Sequence, residues 1–247
     1  MASLGNLPLR YRPVRRLVAL FAGLALYGAA MSLMIAANLG LDPWDVFHQG
    51  MSRLTGLSFG TIVIVVGAVV LLLWIPLRQR PGVGTVANAI VIGLVVNAVN
   101  AVLPVPHALW LRWTYAVVGI FACGVASGLY IGARLGPGPR DGLMTGVATK
   151  WPGRWFAQIR VVRTAIELTV LAIGFVLGGT VGWVTLLFAV SIGPLAHVMI
   201  PLLSVRDPER PLAPSESAPQ HVVTGDIAVD DALPARGSTA LVAGRPA

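Results

Sequence analysis

Glu167 is the residue whose type and position in this sequence most directly indicate chemistry. It lies twelve residues after Trp155, which corresponds to ~18 Å along a helix at 1.5 Å per residue, about half the thickness of a membrane. Arg163 precedes it by four residues, so the two side chains share a helix face and can pair. An ionisable pair inside a membrane is a candidate functional site. The alternative is that Arg163 reaches the interface and Glu167 is its structural counterion.

Two further polar residues stand at corresponding places in apolar segments. Asn97 and His197 are separated by 100 positions, and we expect both on membrane helices. They could line the path of a solute, and His197 could relay a proton. Hydrogen bonding between helices is the simpler explanation and the one that we favour. The candidate intramembrane polar site is therefore Arg163, Glu167, Asn97 and His197.

The motif DPWD at 42 to 45 predicts the start of a helix, with Asp42 as N-cap, Pro43 in the first turn and Asp45 bonding back to the cap. Pro139 and Asp141 repeat it. In one interpretation these are re-entrant helices whose positive N-terminal ends face a cavity. In the other they begin interfacial helices, with Trp44 at the headgroups. The predicted helix caps of the two loops are Asp42, Pro43, Asp45, Pro139 and Asp141.

The sequence lacks the motifs of the common enzyme classes. There is no GxSxG, HExxH or Walker motif, and Cys123 is the only cysteine. The net charge of +8 is spread over short basic clusters between apolar runs, which argues against nucleic acid as a partner. We expect neither enzymatic activity nor a metal or cofactor.

The elements that carry these residues are predicted from the composition. Hydrophobic residues make up 56% of the chain and charged residues 11%, and the mean hydropathy is +0.79, which is typical of a membrane protein. Apolar stretches of about 20 residues, enough to cross a bilayer, predict an all-α transmembrane bundle. The predicted spans are 17–38, 60–77, 84–103, 112–133, 158–177 and 182–203.

Basic residues predict the orientation of these spans. If the N-terminus is cytoplasmic, the outer loops contain only Arg53 and Arg112, and all inner loops are richer in arginine and lysine. We therefore expect a multi-pass protein of the bacterial cell membrane with both termini in the cytoplasm. Residues 1–16 form a basic cytoplasmic N-terminus. Residues 206–247, rich in Pro, Ala, Ser and acidic residues, predict a disordered cytoplasmic tail.

The chain also repeats itself. Two halves, 17–104 and 105–205, share a series of identities at an offset of 96, followed by a second series at an offset of 100. Each half has three spans, an odd number, so the second half should enter the membrane upside down, with short interfacial or re-entrant helices after spans 1 and 4. The identities are Gly28/Gly124, Leu39/Leu135, Gly40/Gly136, Pro43/Pro139, Asp45/Asp141 and Gly50/Gly146, then Gly82/Gly182, Thr85/Thr185, Ala89/Ala189, Ile92/Ile192 and Gly93/Gly193.

Small residues recur along spans 1 and 4. Gly124, Gly128 and Gly132 are spaced by four, and Gly28 stands at the place equivalent to Gly124. Such stripes allow helices to approach closely in lipid. We expect these packing glycines to bring spans 1 and 4 together near a pseudo-twofold axis.

Several segments resemble the YczE/YyaS/YitT-type family of bacterial membrane proteins. They are NLGLDPWDVFHQG (38–50), TGLSFG (55–60), GVGTVANAIVIG (82–93), VRTAIELTVLAIGFVLGG (162–179) and FAVSIGP (188–194). The resemblance covers the chain from Leu17 to Pro201. It implies the location and the fold, and it carries no activity, cofactor or site residue.

Inverted repeats around a polar midplane predict a secondary transporter or permease-like protein for a small solute. The rival hypothesis is a membrane accessory or scaffold protein that binds partner proteins or lipids through its small-residue stripes. The expected partners are the lipid bilayer, a small-molecule solute, and either a second copy of the chain or another protein.

Overall fold

A computed structural model describes residues 11–151, 154–155 and 158–205. The predicted tail 206–247 and residues 1–10 of the predicted basic N-terminus lie outside the described residues. The described part of the chain is helical throughout, with short connections. Its helices are α1 (Pro13–Ala37), α2 (Pro43–Thr55), α3 (Phe59–Leu73), α4 (Val83–Val102), α5 (Leu109–Gly132), α6 (Pro139–Lys150), α7 (Ile159–Val176) and α8 (Trp183–Leu203).

The six helices predicted as spans correspond to α1, α3, α4, α5, α7 and α8. Each observed helix end lies within about four residues of the predicted end. The largest difference at a C-terminus is in α3, which ends at Leu73 and continues as turns through residue 78. Pro76 explains this early end, because proline cannot donate the backbone hydrogen bond that a helix needs.

Four of these helices, α1, α4, α5 and α8, are long and apolar enough to cross a membrane. α2 and α3 together would count as a fifth if they are one span, broken by a bend of 112°. α7 has 18 residues and carries three charged side chains, Arg160, Arg163 and Glu167, so hydropathy alone does not assign it.

The short helices α2 and α6 begin at the two predicted prolines, Pro43 and Pro139. At α2 Asp42 is the N-cap as predicted, because its Oδ1 accepts a hydrogen bond from the backbone N–H of Asp45 at 2.8 Å, whereas the Asp45 side chain, predicted to bond back to the cap, lies against His48. At α6 the N-cap is Gly138, which has no capping side chain. The carboxylate of Asp141 accepts a hydrogen bond from Tyr130 instead, so its predicted role as a cap is wrong.

α1 and α5 pack against each other and run antiparallel, because each begins where the other ends. Arg16 in α1 is fully buried and donates from Nε and Nη2 to the carbonyl oxygens of Ala133 and Arg134 at the end of α5, at 2.8 and 3.0 Å. Arg112, 96 positions after Arg16, makes the same pair of bonds to the last carbonyl groups of α1, at 2.7 and 2.6 Å. Each arginine thus satisfies carbonyl groups that a helix end leaves without partners.

Replacing Arg16 with alanine should destabilise the protein by ~1.5–3 kcal/mol, the usual contribution of a hydrogen bond to a charged group. The matched control is Arg15→Ala, since the Arg15 side chain is exposed and its removal should change little. The measurement is thermal unfolding in detergent, followed with a thiol-reactive dye that labels the buried Cys123 only when the protein opens. Equal melting temperatures for the two variants would contradict the capping role.

The starts of α4 and α8 dock on the turns that follow α5 and α1. The N–H of Gly84 donates to the carbonyl oxygen of Leu135 at 2.9 Å, and the N–H of Val184 donates to that of Leu39 at 3.1 Å. The turns contain Gly40 at φ +118° and Gly136 at φ +130°, a backbone region that favours glycine. The two halves of the described chain are therefore joined by matching contacts.

The predicted glycine stripe is only partly right. α1 and α5 do pack together, but they meet at Gly23, beside the backbone of Tyr130, and at its counterpart Gly119. Gly28 lies against Val95 of α4 instead. Gly23 and Gly28 are five residues apart, which turns a helix by roughly 140°. The remaining stripe residues, Gly124, Gly128 and Gly132, contact the C-terminal half of α8 and its C-cap at Leu195, Met199, Leu203 and Ser204.

The two halves differ most in the packing of α3 on α4 and of the corresponding pair, α7 and α8. In the first half α3 and α4 pack so closely that the backbones of Gly60 and Gly93 touch. In the second half Gly193, the counterpart of Gly93, has nothing within 4 Å of where its Cβ would lie among the described residues. α7 packs on α2 instead, where Gly174 touches the backbone of Phe47. α7 and α8 are therefore not packed against each other as α3 and α4 are.

Candidate functional site

The first turns of α2 carry three polar side chains that point into the protein. Asp42, Asp45 and His48 follow each other at intervals of three, so they share one face of the helix, and their exposed fractions are only 2%, 0% and 2%. His48 Nδ1 lies 3.2 Å from Asp45 Oδ1. The ring of Phe59 meets the His48 ring edge-on at 5.9 Å between centroids. The sequence pattern had indicated caps here, and the fold turns them inward.

Arg140 of α6 lies against this face from the other half of the protein. Its Nη1 is 3.7 Å from Asp42 Oδ1, and its Nη2 is 3.5 Å from Asp45 Oδ1. The guanidinium carbon is 5.2 Å from the centre of the Trp44 ring, which is a cation–π distance. The N-terminal turns of α2 and α6 therefore meet inside the protein. Asp42, Trp44, Asp45, His48 and Arg140 are called the central cluster from here on.

Trp44 is only 6% exposed, so the interpretation that places it at the headgroups is wrong. Arg140 follows Trp44 by 96 positions, the offset of the repeat. The two residues thus occupy corresponding places in the two halves and stack on each other. One half contributes the cation and the other the aromatic ring that it covers.

The electrostatics of the central cluster are unbalanced. Burial favours the neutral form of a carboxyl group, and a nearby guanidinium favours the ionised form. Two carboxyl groups face one guanidinium here, at distances longer than a direct hydrogen bond. Asp42 Oδ2, Asp45 Oδ2 and Trp44 Nε1 are buried and have no hydrogen-bond partner in the part of the chain that the structure describes. Such atoms are costly unless something satisfies them.

Further polar groups extend from the central cluster toward α7. Tyr130 Oη donates to Asp141 Oδ2 at 3.4 Å, and the Tyr27 ring meets the Tyr130 ring edge-on at 6.0 Å. The carboxylate of Asp141 interacts electrostatically with both Arg140 and Arg163. Asp141, which directly follows Arg140 on α6, is therefore within the electrostatic reach of both the central cluster and the polar pair of α7.

The pair on α7 forms as its spacing predicts. Arg163 Nε donates to Glu167 Oε1 at 2.8 Å. The side chains of Arg163 and Glu167 are 54% and 31% exposed, so the pair lies on the open face of α7. It forms the outer end of the polar line whose inner end is the central cluster.

The other two candidates are not part of this line. Asn97 Oδ1 accepts a hydrogen bond from the backbone N–H of Gly60 at 2.9 Å and so ties α4 to the start of α3. This geometry favours the interpretation as a bond between helices. His197 lies exposed on α8, away from the residues named above.

Sequence reasoning missed Arg140 and His48 as site residues and treated Arg16 and Arg112 as topology signals. The 96-residue offset contains the missing signal for three of them, since it relates Arg16 to Arg112 and Trp44 to Arg140. It relates Gly23 to Gly119 in the same way. Extending the alignment to residues before Gly28, and to positions where the residue types differ, would have found them.

Comparisons with known proteins agree with this picture of a helical membrane protein. The model of a family described as "Family of unknown function (DUF6198)" matches residues 14–201. An uncharacterized protein of Haemophilus influenzae is 37% identical over 187 residues, which is 76% of this chain and 84% of that protein. The uncharacterized membrane protein YczE of Bacillus subtilis is 32% identical over 209 residues, 81% of this chain and 94% of its own. No solved structure matches.

Proposed function

The chain belongs to the DUF6198 family, a YczE-type family, and is a helical membrane protein; we propose that it is a secondary transporter of a small solute. The single observation that carries the proposal is the central cluster. A partly buried cation and two buried carboxyl groups meet there at the N-terminal ends of two short helices. Broken or re-entrant helices that meet in this way form the binding sites of many transporters.

The architecture we propose has six membrane crossings, α1, α3, α4, α5, α7 and α8, in two halves of opposite orientation, in a bacterial cell membrane and with both termini in the cytoplasm. α2 and α6 are re-entrant helices that begin near the midplane. The reciprocal bonds of Arg16 and Arg112 support this arrangement, since they require α1 and α5 to run antiparallel. The matching contacts of Gly84 and Val184 support it as well.

The difference between the halves supports alternating access. In an inverted repeat, two states are related by exchanging the conformations of the halves. In this structure α3 and α4 are packed together, whereas α7 and α8 are not. Closing α7 on α8 and opening α3 from α4 would give the opposite state. The polar pair Arg163–Glu167 lies on the helix that would move.

The proposal is tested in proteoliposomes that contain a trapped pH dye, to which a panel of amino acids, organic acids, sugars and nucleosides is added one class at a time. We expect at least one class to produce a flux that protein-free liposomes lack. Glu167→Gln should reduce this flux at least tenfold while the protein remains folded. Arg80→Gln, an exposed charge between α3 and α4, is the matched control. Transport that moves no proton is measured as the uptake of radiolabelled members of each class.

The accessory-protein hypothesis has one observation in its favour. α7 and α8 expose apolar side chains, among them Phe175, Val176, Val190 and Leu202, and such faces can bind another membrane protein. Absence of flux for every class, together with a stoichiometric partner after cross-linking in the membrane, would replace the transporter by this second function.

A further inference from the structure

We propose that Asp42 and Asp45 together hold one exchangeable proton, and that this proton is the coupling ion of the transporter. The claim that this proton is coupled to transport rests on the proposed function. The proton site itself rests on the geometry of the central cluster.

The first argument is a charge count. Asp42 and Asp45 would contribute two negative charges if both were ionised, and Arg140 contributes one positive charge within 4 Å of both. Burial favours a neutral ring for His48. One negative charge would then remain inside the protein without a partner. A buried carboxyl group in this position takes up a proton rather than stay charged.

The surroundings supply no further cation to the pair. Among the described residues, the ionisable groups that interact with Asp42 and Asp45 are His48 on α2, Arg140 on α6, Tyr27 on α1 and Cys123 on α5. The next cation along the polar line is Arg163 on α7, which is paired with Glu167. Tyr130 and Asp141 lie in between and carry no positive charge.

A second, independent observation is that the cluster contains unsatisfied atoms of both kinds. The acceptors are Asp42 Oδ2 and Asp45 Oδ2, and the donor is the indole Nε1 of Trp44. A proton on one carboxyl group turns one of these oxygen atoms into a hydrogen-bond donor. No group of three or more His, Cys, Asp or Glu in the described part of the chain is placed to hold a metal ion. A proton therefore fits the cluster better than a metal cation does.

The proton must also reach water, and the polar line provides a direction. Tyr130, Asp141, Arg163 and Glu167 extend from the cluster to the partly exposed face of α7. A proton taken from water on that side would pass inward and be released when the halves exchange conformations. The step moves only a proton, and no electron or covalent bond is involved.

The test is infrared spectroscopy of the purified protein in detergent at neutral pH, in H₂O and in D₂O. We expect a carbonyl band of a protonated carboxylic acid that shifts in D₂O, because the proton exchanges. The band should disappear in Asp45→Asn, since Asp42 then has Arg140 to itself and ionises. It should also disappear in Asp42→Asn, a substitution that retains the N-cap because asparagine caps as well as aspartate.

Glu167→Gln is the control and should leave the band unchanged, because that carboxylate is already paired with Arg163. A band that survives both aspartate substitutions would overturn the proton site, and so would absence of the band in the wild-type protein. The band without any solute flux would leave the site standing and refute the transporter. Solute flux without the band would overturn the proton site and leave the transporter standing.

Discussion

The Arg140→Gln variant is expected to lose about 3–5 kcal/mol of the free energy of unfolding, the usual cost of removing one partner from a buried ion pair. Arg140 is the cation that faces the buried carboxyl groups of Asp42 and Asp45. Glutamine retains part of the volume and the hydrogen-bonding capacity but removes the charge. The loss is measured by reversible SDS titration in mixed micelles.

The control removes both carboxyl groups in the same background. When Asp42→Asn and Asp45→Asn are added to Arg140→Gln, no buried charge is left without a cation, so the triple variant should recover at least half of the lost stability. Trp44, over which the guanidinium lies, is unchanged in all variants. If the triple variant is no more stable than Arg140→Gln, the charge interaction is not what Arg140 contributes.

The Gly93→Ala variant is expected to lose ~1–3 kcal/mol or more, because overpacking a tight contact forces the backbone to shift. The site of the added methyl group is filled by the backbone of Gly60 and the side chain of Ile64. The matched control is Gly193→Ala, at the corresponding place in the second half, where no described residue outside its own helix turn lies within 4 Å of the added methyl group. This variant should keep its melting temperature.

A large loss for both glycine variants would show that α7 and α8 pack together in the populated state and would contradict their separation in this structure. The comparison is informative because the two glycines share the motif IG and the same place in the repeat. Only the packing around them differs. The melting temperatures can be read through labelling of the buried Cys123.

The sequence predicted most of the helices because apolar length is a strong local signal. α4 and α8 were predicted within one residue at each end. The motif at Pro43 and Pro139 predicted the short helices for the same reason, since proline and a cap act locally. The predicted end of α3 was wrong because hydropathy continues past Leu73, whereas the backbone turns before Pro76.

The site was predicted less well because it depends on contacts between the halves. Nothing local distinguishes Arg140, which reaches buried carboxyl groups, from a charge in a loop. Arg16 likewise belongs to a basic cluster in the sequence and is fully buried in the fold. Glu167 stood out because a charge in an apolar run is conspicuous, yet it forms only the outer end of the polar line. These roles depend on distances between side chains in the folded structure, and the sequence does not contain those distances.

The opposite orientation of the two halves is the claim on which the proposed function depends, and cysteine accessibility in intact cells tests it most directly. Cys123 is the only cysteine of the sequence and is buried, so it should give no background with a membrane-impermeant maleimide. Leu57→Cys and His107→Cys should be labelled in intact cells. Arg80→Cys and Trp155→Cys should be labelled only after the membrane is opened. Labelling of Leu57→Cys and Trp155→Cys from the same side would contradict the inverted arrangement.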